Sequence, residues 1–270
     1  MPVQRTDPSL TAAATSLDPR TTLARPDLAE QALEGVVRAK AFRAVRPMRC
    51  IVPVADIQAA AGPAEDPVDQ IIFGEAFDVL DVQGDRAWGK ARRDGVVGWI
   101  ALTALEEGAP LAEAIVTSVS AELPLNAFVG EDNKTGASAP IGVFAADPVD
   151  VAERLVGVPH VLGGRSSKGT DCCGLIQQAL YACGLAAPRY ADQQADLGHA
   201  VDASSARRGD LVIWLKADET PWRGHSAFVL DDGRVLHATG HHGAVVIEPL
   251  VEAVSRYIAD GFAAPIYRRL

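Results

Sequence analysis

The chain reads as an α+β protein in which a helix carrying a cysteine packs on an antiparallel sheet, preceded by a small β-barrel. Three observations predict this. Residues 45–107 hold short β-prone runs separated by turn formers. Asp171-Cys172 opens a run with apolar residues at steps of three and four, the spacing of a helix with one buried face. Beyond it, two strand-like runs flank Asp231-Asp232-Gly233, a hairpin turn signal. At 270 residues the chain has room for two or three small domains, and a 48% hydrophobic content is that of a globular protein.

Taken in order, residues 1–44 form a helical or irregular lead-in. Within it, residues 27–39 (DLAEQALEGVVRA) place Leu28, Ala32, Leu33, Val36 and Val37 at helical spacing behind Asp27, an N-cap candidate. Residues 51–54, 76–80, 87–91 and 96–100 predict strands of a barrel spanning 45–107. Its Trp88 and Trp99 are either core residues or part of a ligand groove. Residues 114–119 and 123–129 suggest further strands, as of a reduced second barrel, and the polar 131–140 reads as a loop. The last unit, 147–270, starts at Asp147-Pro148 with a short helical pattern.

In that unit Asp171 is an N-cap candidate, and Cys172 is then the first helical residue. The stripe Cys172, Ile176, Ala179, Leu180 and Cys183 predicts a buried face, with Cys183 in the core and Gly184 as the stop. A reactive cysteine needs its thiolate, which a helix N-terminus and a nearby imidazolium both favour. Adjacent helical residues point about 100° apart, so Cys172 and Cys173 cannot share a role. Cys172, next to the cap, is the preferred nucleophile, and Cys173 is the competing one. His225 and His237 lie on the two hairpin strands, where His225 can take the thiol proton and His237 can orient it.

Composition excludes other classes. A net charge of −10 disfavours nucleic acid and anionic membrane surfaces as partners, since both select a basic face. No apolar run reaches the roughly eighteen residues of a membrane span. Residues 1–10 lack a basic stretch followed by an apolar core, so a cytoplasmic location is expected. Four irregularly spaced cysteines make no disulfide framework. His237, His241 and His242 are close in sequence, but Gly240 and Gly243 break any helical pairing, so neither a metal nor another cofactor is expected. Nothing in the sequence sets an oligomeric state.

Two resemblances narrow the reading. Gly74 to Ile100, with its G-E-x-x-x-V-L, W-x-K-A and D-G-x-x-G-W-I segments, resembles a bacterial SH3-type domain. The last 120 or so residues resemble the NlpC-type papain-like cysteine peptidases of bacterial cell-wall metabolism. The segments PHVLGG, GTDCCGLIQ, PRYADQQ, RRGDLVIW, GHSAFVLDDG and LHA carry that likeness in order and spacing.

The resemblance implies hydrolysis of peptidoglycan stem peptides, with a murein peptide as substrate and the γ-D-glutamyl-L-diamino acid bond as the point of cleavage. It implies Cys172 as nucleophile, His225 as base and His237 as the third polar member. It places Asp171, Cys173, His160, Arg189, Tyr190, Asp192 and Ser226 on the substrate side. His160 and Leu162 stand where the family commonly has Tyr and Trp, and Cys173 where it has Ser. Tyr190 replaces an acidic residue that in some members meets a free amino terminus, which leaves Asp192 as the substitute partner. An amidase or acyltransferase on the same scaffold, or a catalytically impaired wall-binding protein, is the alternative.

Overall fold

A computed structural model describes residues 17–62, 66–108, 112–130, 137–216 and 224–270. Residues 1–16, most of the polar stretch 131–140 and residues 217–223 therefore lie outside the described residues. No described helix is long and apolar enough to cross a membrane.

The helix expected over 27–39 does not form. Ala29–Glu30 pairs in parallel with Phe42–Arg43, and one 3-10 turn, Gln31–Leu33, lies between them. Two features explain the correction. Gly35 sits at φ +80°, outside the helical region. Val36, on the supposed apolar face, is 63% exposed, and of that face only Leu28 is buried, against Leu80, Trp88 and Trp99.

The barrel block is an antiparallel five-stranded sheet. Its order is Val97–Ala101, Arg86–Ala91, Ala76–Gln83, Arg46–Cys50 and Leu105–Glu107. A hairpin of Val54–Ile57 and Asp69–Ile72 joins it where Gln58 bridges Trp99. The strand expected over 51–54 is instead the bend between Arg46–Cys50 and Val54–Ile57, where Pro53 has no N–H for a ladder. Met48, Ile57, Ile71, Phe77, Val79 and Ile100 fill the core. Trp88 and Trp99 are also buried, with the Arg25 guanidinium 4.1 Å from the Trp88 ring centroid. Their edges still line a cavity of about 330 Å³ with Arg20, Arg25 and Tyr190.

Next comes a small antiparallel sheet with Ala114–Val116 between Phe128–Val129 and Ser138–Pro140. These strands are shorter than the apolar runs suggested, because Pro124 interrupts the second run.

The C-terminal block starts with α1 (Pro148–Glu153), whose N-cap Asp147 accepts a bond from the Val149 N–H. Then come α2 (Cys172–Ala182) and α3 (Ala191–Gln194). The antiparallel sheet runs His199–Val201, Ile266–Arg269, Leu211–Leu215, Gly224–Val229, Arg234–Thr239, Ala244–Pro249. Leu175, Ile176, Ala179 and Leu180 of α2 pack with Leu211, Ile213, Phe228 and Leu236 on one face. α4 (Leu250–Ala259) covers the other with Ala253 and Tyr257 against Val212, Trp214, Ala227 and Val235. Each such aliphatic or aromatic side chain contributes about 1.5–3 kcal/mol on burial. Cys183 departs from expectation: it is the C-cap and only partly buried at the rim of this core.

The barrel and the C-terminal block meet through buried charge and close backbone contact. Arg165 donates to Asp69, to both oxygens of Glu75, and to the Gln70 carbonyl. Arg189 pairs with Asp69 at 2.8 Å and with Asp171 at 2.5 Å. All five ionisable residues are buried, and burial, with Asp94 nearby, pushes the Asp69 carboxyl well up despite its two arginines. Gly163 adopts φ +76°, and a Cβ there would lie 2.0 Å from the Pro67 carbonyl oxygen.

Candidate active site

Asp171 caps α2 as its local sequence predicts: Oδ1 accepts from the Gly174 N–H at 2.8 Å, and Oδ2 from the Gly163 N–H at 3.0 Å. Cys172 is therefore the first residue of α2, half-buried, in the positive end of the helix field. Gly174 lets this end approach the preceding loop, because a Cβ there would lie 2.1 Å from the Gly164 carbonyl oxygen.

Hairpin register brings the histidines together. Phe228 faces Leu236 and Val229 faces Val235, and the same register carried onward sets His237 against Ala227. His237 is then the diagonal neighbour of His225 on one sheet face. Their rings meet with Nε2 of His225 2.7 Å from Nδ1 of His237. On the next strand Val246 faces His237, and Glu248, two residues on, presents its carboxylate to the same face. Glu248 Oε1 lies 2.7 Å from His237 Nε2.

These contacts set the proton pattern. Glu248 is held well below the usual carboxylate range: burial works against this, but bonds from His237, Arg256 and His242 prevail. An ionised carboxylate only accepts, so His237 Nε2 carries the proton and His237 Nδ1 accepts from His225 Nε2–H. Burial, opposed by Glu248, pushes His237 down to about 4, so its ring is neutral near pH 7. Tyr257 Oη also lies 2.9 Å from His225 Nε2, and its ring stacks on His225 at 4.3 Å. His225 is left with Nδ1 for the thiol.

Cys172 is well below the ordinary thiol value. A hydrogen bond from Cys173 acts most strongly, against burial, followed by the charge and hydrogen bond of His225 and the Ser226 backbone N–H. Cys173, 3.7 Å away sulfur to sulfur, moves the opposite way because of Cys172 and its own burial. The site thus sets a thiol with a lowered pKa beside an imidazole that can accept and return its proton.

The structure draws Cys172, His225 and His237 into one line and treats the other expected residues differently. His160 is half-buried, bridges Thr170 and lies 3.7 Å from where a Gly240 Cβ would be. Six of the residues expected on the substrate side are buried or already paired. Asp171 and Arg189 are buried and bound to each other. Ser226 is fully covered, and Cys173 is 3% exposed. Asp192 is held by Arg20 through both oxygens, at 3.0 and 2.6 Å, so its charge is already matched. Tyr190 packs into the barrel core beneath the same guanidinium and lines the cavity between Trp88, Trp99 and Arg20. Glu248 and Tyr257 were missed. The alternation of residues 244–249 on a strand after His237 was the available signal for Glu248, but only strand pairing gives the contact.

Comparison with known proteins agrees with this layout. Residues 157–261 match the NlpC/P60 family, and residues 59–105 match the bacterial dipeptidyl-peptidase Sh3 domain. The chain thus has a region similar to the NlpC/P60 family behind one similar to a bacterial SH3 domain. It is 33% identical over 112 residues to the peptidoglycan endopeptidase RipB of Mycobacterium tuberculosis, covering 36% of this chain and 44% of that protein. It is 28% identical over 106 residues to a gamma-D-glutamyl-L-lysine dipeptidyl-peptidase of Bacillus cereus, covering 39% of this chain and 32% of that protein. The chain spans less than half the length of these curated relatives. A crystal structure of an NlpC/P60 family protein from Bacillus cereus superposes with a TM-score of 0.68 at 19% identity, over 83% of this chain and 99% of that one. That likeness establishes the shared fold: a papain-like α+β domain with an SH3-like barrel.

Proposed function

We infer that the protein is a cysteine endopeptidase of peptidoglycan stem peptides that cleaves between γ-D-glutamate and an L-diamino acid. The observation that carries this is the unbroken line from Cys172 through His225 to His237 at the start of α2. The activities of the two relatives support the substrate class, and the Bacillus cereus relative supports the bond.

In this mechanism the Cys172 thiolate attacks the γ-glutamyl carbonyl carbon. Backbone N–H groups of the first turn of α2, which have no intrahelical partner, receive the oxyanion. His225 gives its Nδ1 proton to the departing amine and leaves a thioester. Water, deprotonated by the same nitrogen, then attacks the thioester and frees Cys172. Throughout, neutral His237 accepts from His225 Nε2–H and keeps the ring aligned.

The intact thiol–imidazole line weighs against the impaired wall-binding alternative. A cytoplasmic location is part of the proposal. All four cysteines stand free, which suits a reducing compartment, and cell fractionation tests it. The activity test is incubation with L-Ala-γ-D-Glu-meso-diaminopimelate followed by mass spectrometry. Release of diaminopimelate by the wild type but not by Cys172→Ala is expected; an intact peptide refutes the assignment.

A further inference from the structure

Behind the two histidines stands a carboxylate that the Cys–His–His line does not include. Glu248 is 7% exposed and engages groups from three separate elements. From Arg234–Thr239 it accepts the His237 Nε2–H at 2.7 Å. From the turn beyond that strand it meets His242 Nε2 at 3.2 Å, and from α4 it receives Arg256 Nη1 at 3.1 Å. On the far side of His237 the facing groups are His225 and Tyr257, whose hydroxyl lies near both His225 and Thr239.

We propose that Glu248 is a positioning residue of the site, a fourth member that fixes the tautomer of His237 and, through it, the proton and charge on His225. The claim rests on the peptidase assignment for its consequence in turnover, but its direct consequence, on Cys172, needs no substrate.

The chemistry follows from donor and acceptor capacity. A neutral imidazole has one N–H and one lone pair, so the proton Glu248 holds on Nε2 leaves Nδ1 to accept. If the proton moved to Nδ1, two N–H groups would face each other across 2.7 Å, and His225 would lose its alignment. When His225 becomes the imidazolium partner of the Cys172 thiolate, the Glu248 carboxylate stabilises that charge across one buried neutral ring. Arg256, held through both of its terminal nitrogens, neutralises part of the Glu248 charge and shares Oε1 with His237 Nε2, so the remaining field acts on His237 along its own hydrogen bond. A carboxylate one ring away in a partly buried site shifts the thiolate equilibrium by about one pH unit at an effective dielectric near 20.

The test uses the full chain and three variants. Glu248→Gln keeps an acceptor for His237 Nε2–H and removes the charge. Glu248→Asp keeps the charge on a shorter arm, as a rescue. Arg256→Gln removes the α4 ion pair but leaves Glu248 against His237, and controls for a merely structural role. The first readout is the pH dependence of Cys172 alkylation by iodoacetamide, located by mass spectrometry. The second is kcat and KM on the tripeptide.

In Glu248→Gln the alkylation midpoint should rise by about one unit and kcat should fall about tenfold with KM little changed. Glu248→Asp should recover part of both, and Arg256→Gln, which removes a cation from beside the carboxylate, should not raise the midpoint. The proposal is overturned if folded Glu248→Gln titrates like the wild type, or if Arg256→Gln reproduces its shift. Should the wild type cleave no tripeptide while the midpoint still moves, the peptidase assignment falls and the positioning role of Glu248 stands.

Discussion

Replacing Arg165 by Met removes the cation at the centre of the junction between barrel and C-terminal block. Arg165 is 1% exposed and faces Asp69, Glu75 and Asp94 within 3.4 Å. Burial by itself would raise the Glu75 carboxyl, yet the charges of Arg165 and Arg93 hold it at about 2. A displacement from 4.5 to about 2, at about 1.4 kcal/mol per unit, corresponds to roughly 3 kcal/mol of stability. Breaking a buried pair by losing one partner is measured at about 3–5 kcal/mol, which agrees.

The sign follows from linkage. A depressed carboxylate contributes stability above its unfolded value of 4.5, and this is lost as pH falls toward 2. Arg165→Met should therefore lose about 3–5 kcal/mol at pH 7 and show a flatter acid limb between pH 4.5 and 2. Urea titrations followed by tryptophan fluorescence measure both. Adding Asp94→Asn should return about 1–2 kcal/mol, since that buried carboxylate has its ion pair with Arg165. A loss below about 1 kcal/mol, or an unchanged acid limb, refutes the role of this network.

Three further outcomes are expected. Cys172→Ala should abolish peptide cleavage while Cys173→Ser retains most of it, because Cys173 is 3% exposed; the reverse result reassigns the nucleophile. Folded His237, at about 4, resists a proton that unfolded His237 takes at 6.5, so stability should fall as pH drops through that window. His237→Asn should flatten that portion of the curve, and an identical pH profile by thermal melting would contradict the assignment. Gly163→Ala should cost about 1–3 kcal/mol from strain at positive φ and from collision with the Pro67 carbonyl, read as a lower melting temperature; an unchanged melting temperature would mean that the junction is loose.

What was legible in the sequence was local. The cap of α2 spans three residues, from Asp171 to the Gly174 N–H, so the position of Cys172 could be read from the pentapeptide around it. Strand alternation and the Asp231–Gly233 turn carried His225 and His237 to one face, because hairpin register is set by a short connection. The helix expected over 27–39 failed for the complementary reason: its spacing was local, but its stability needed a surface that the barrel does not offer.

The sequence by itself thus determined the fold class, the cysteine at a helix start and the two histidines beside it, since each depends on bonds between near neighbours. Only the tertiary structure decided which charges those residues see. Arg20 closes on Asp192 from 172 positions away, and Arg189 joins Asp69 of the barrel to the cap of the cysteine helix. Glu248 reaches His237 only because a third strand pairs beside the hairpin. Such contacts follow from how finished elements dock, and in a buried site a single matched or unmatched charge changes both stability and reactivity.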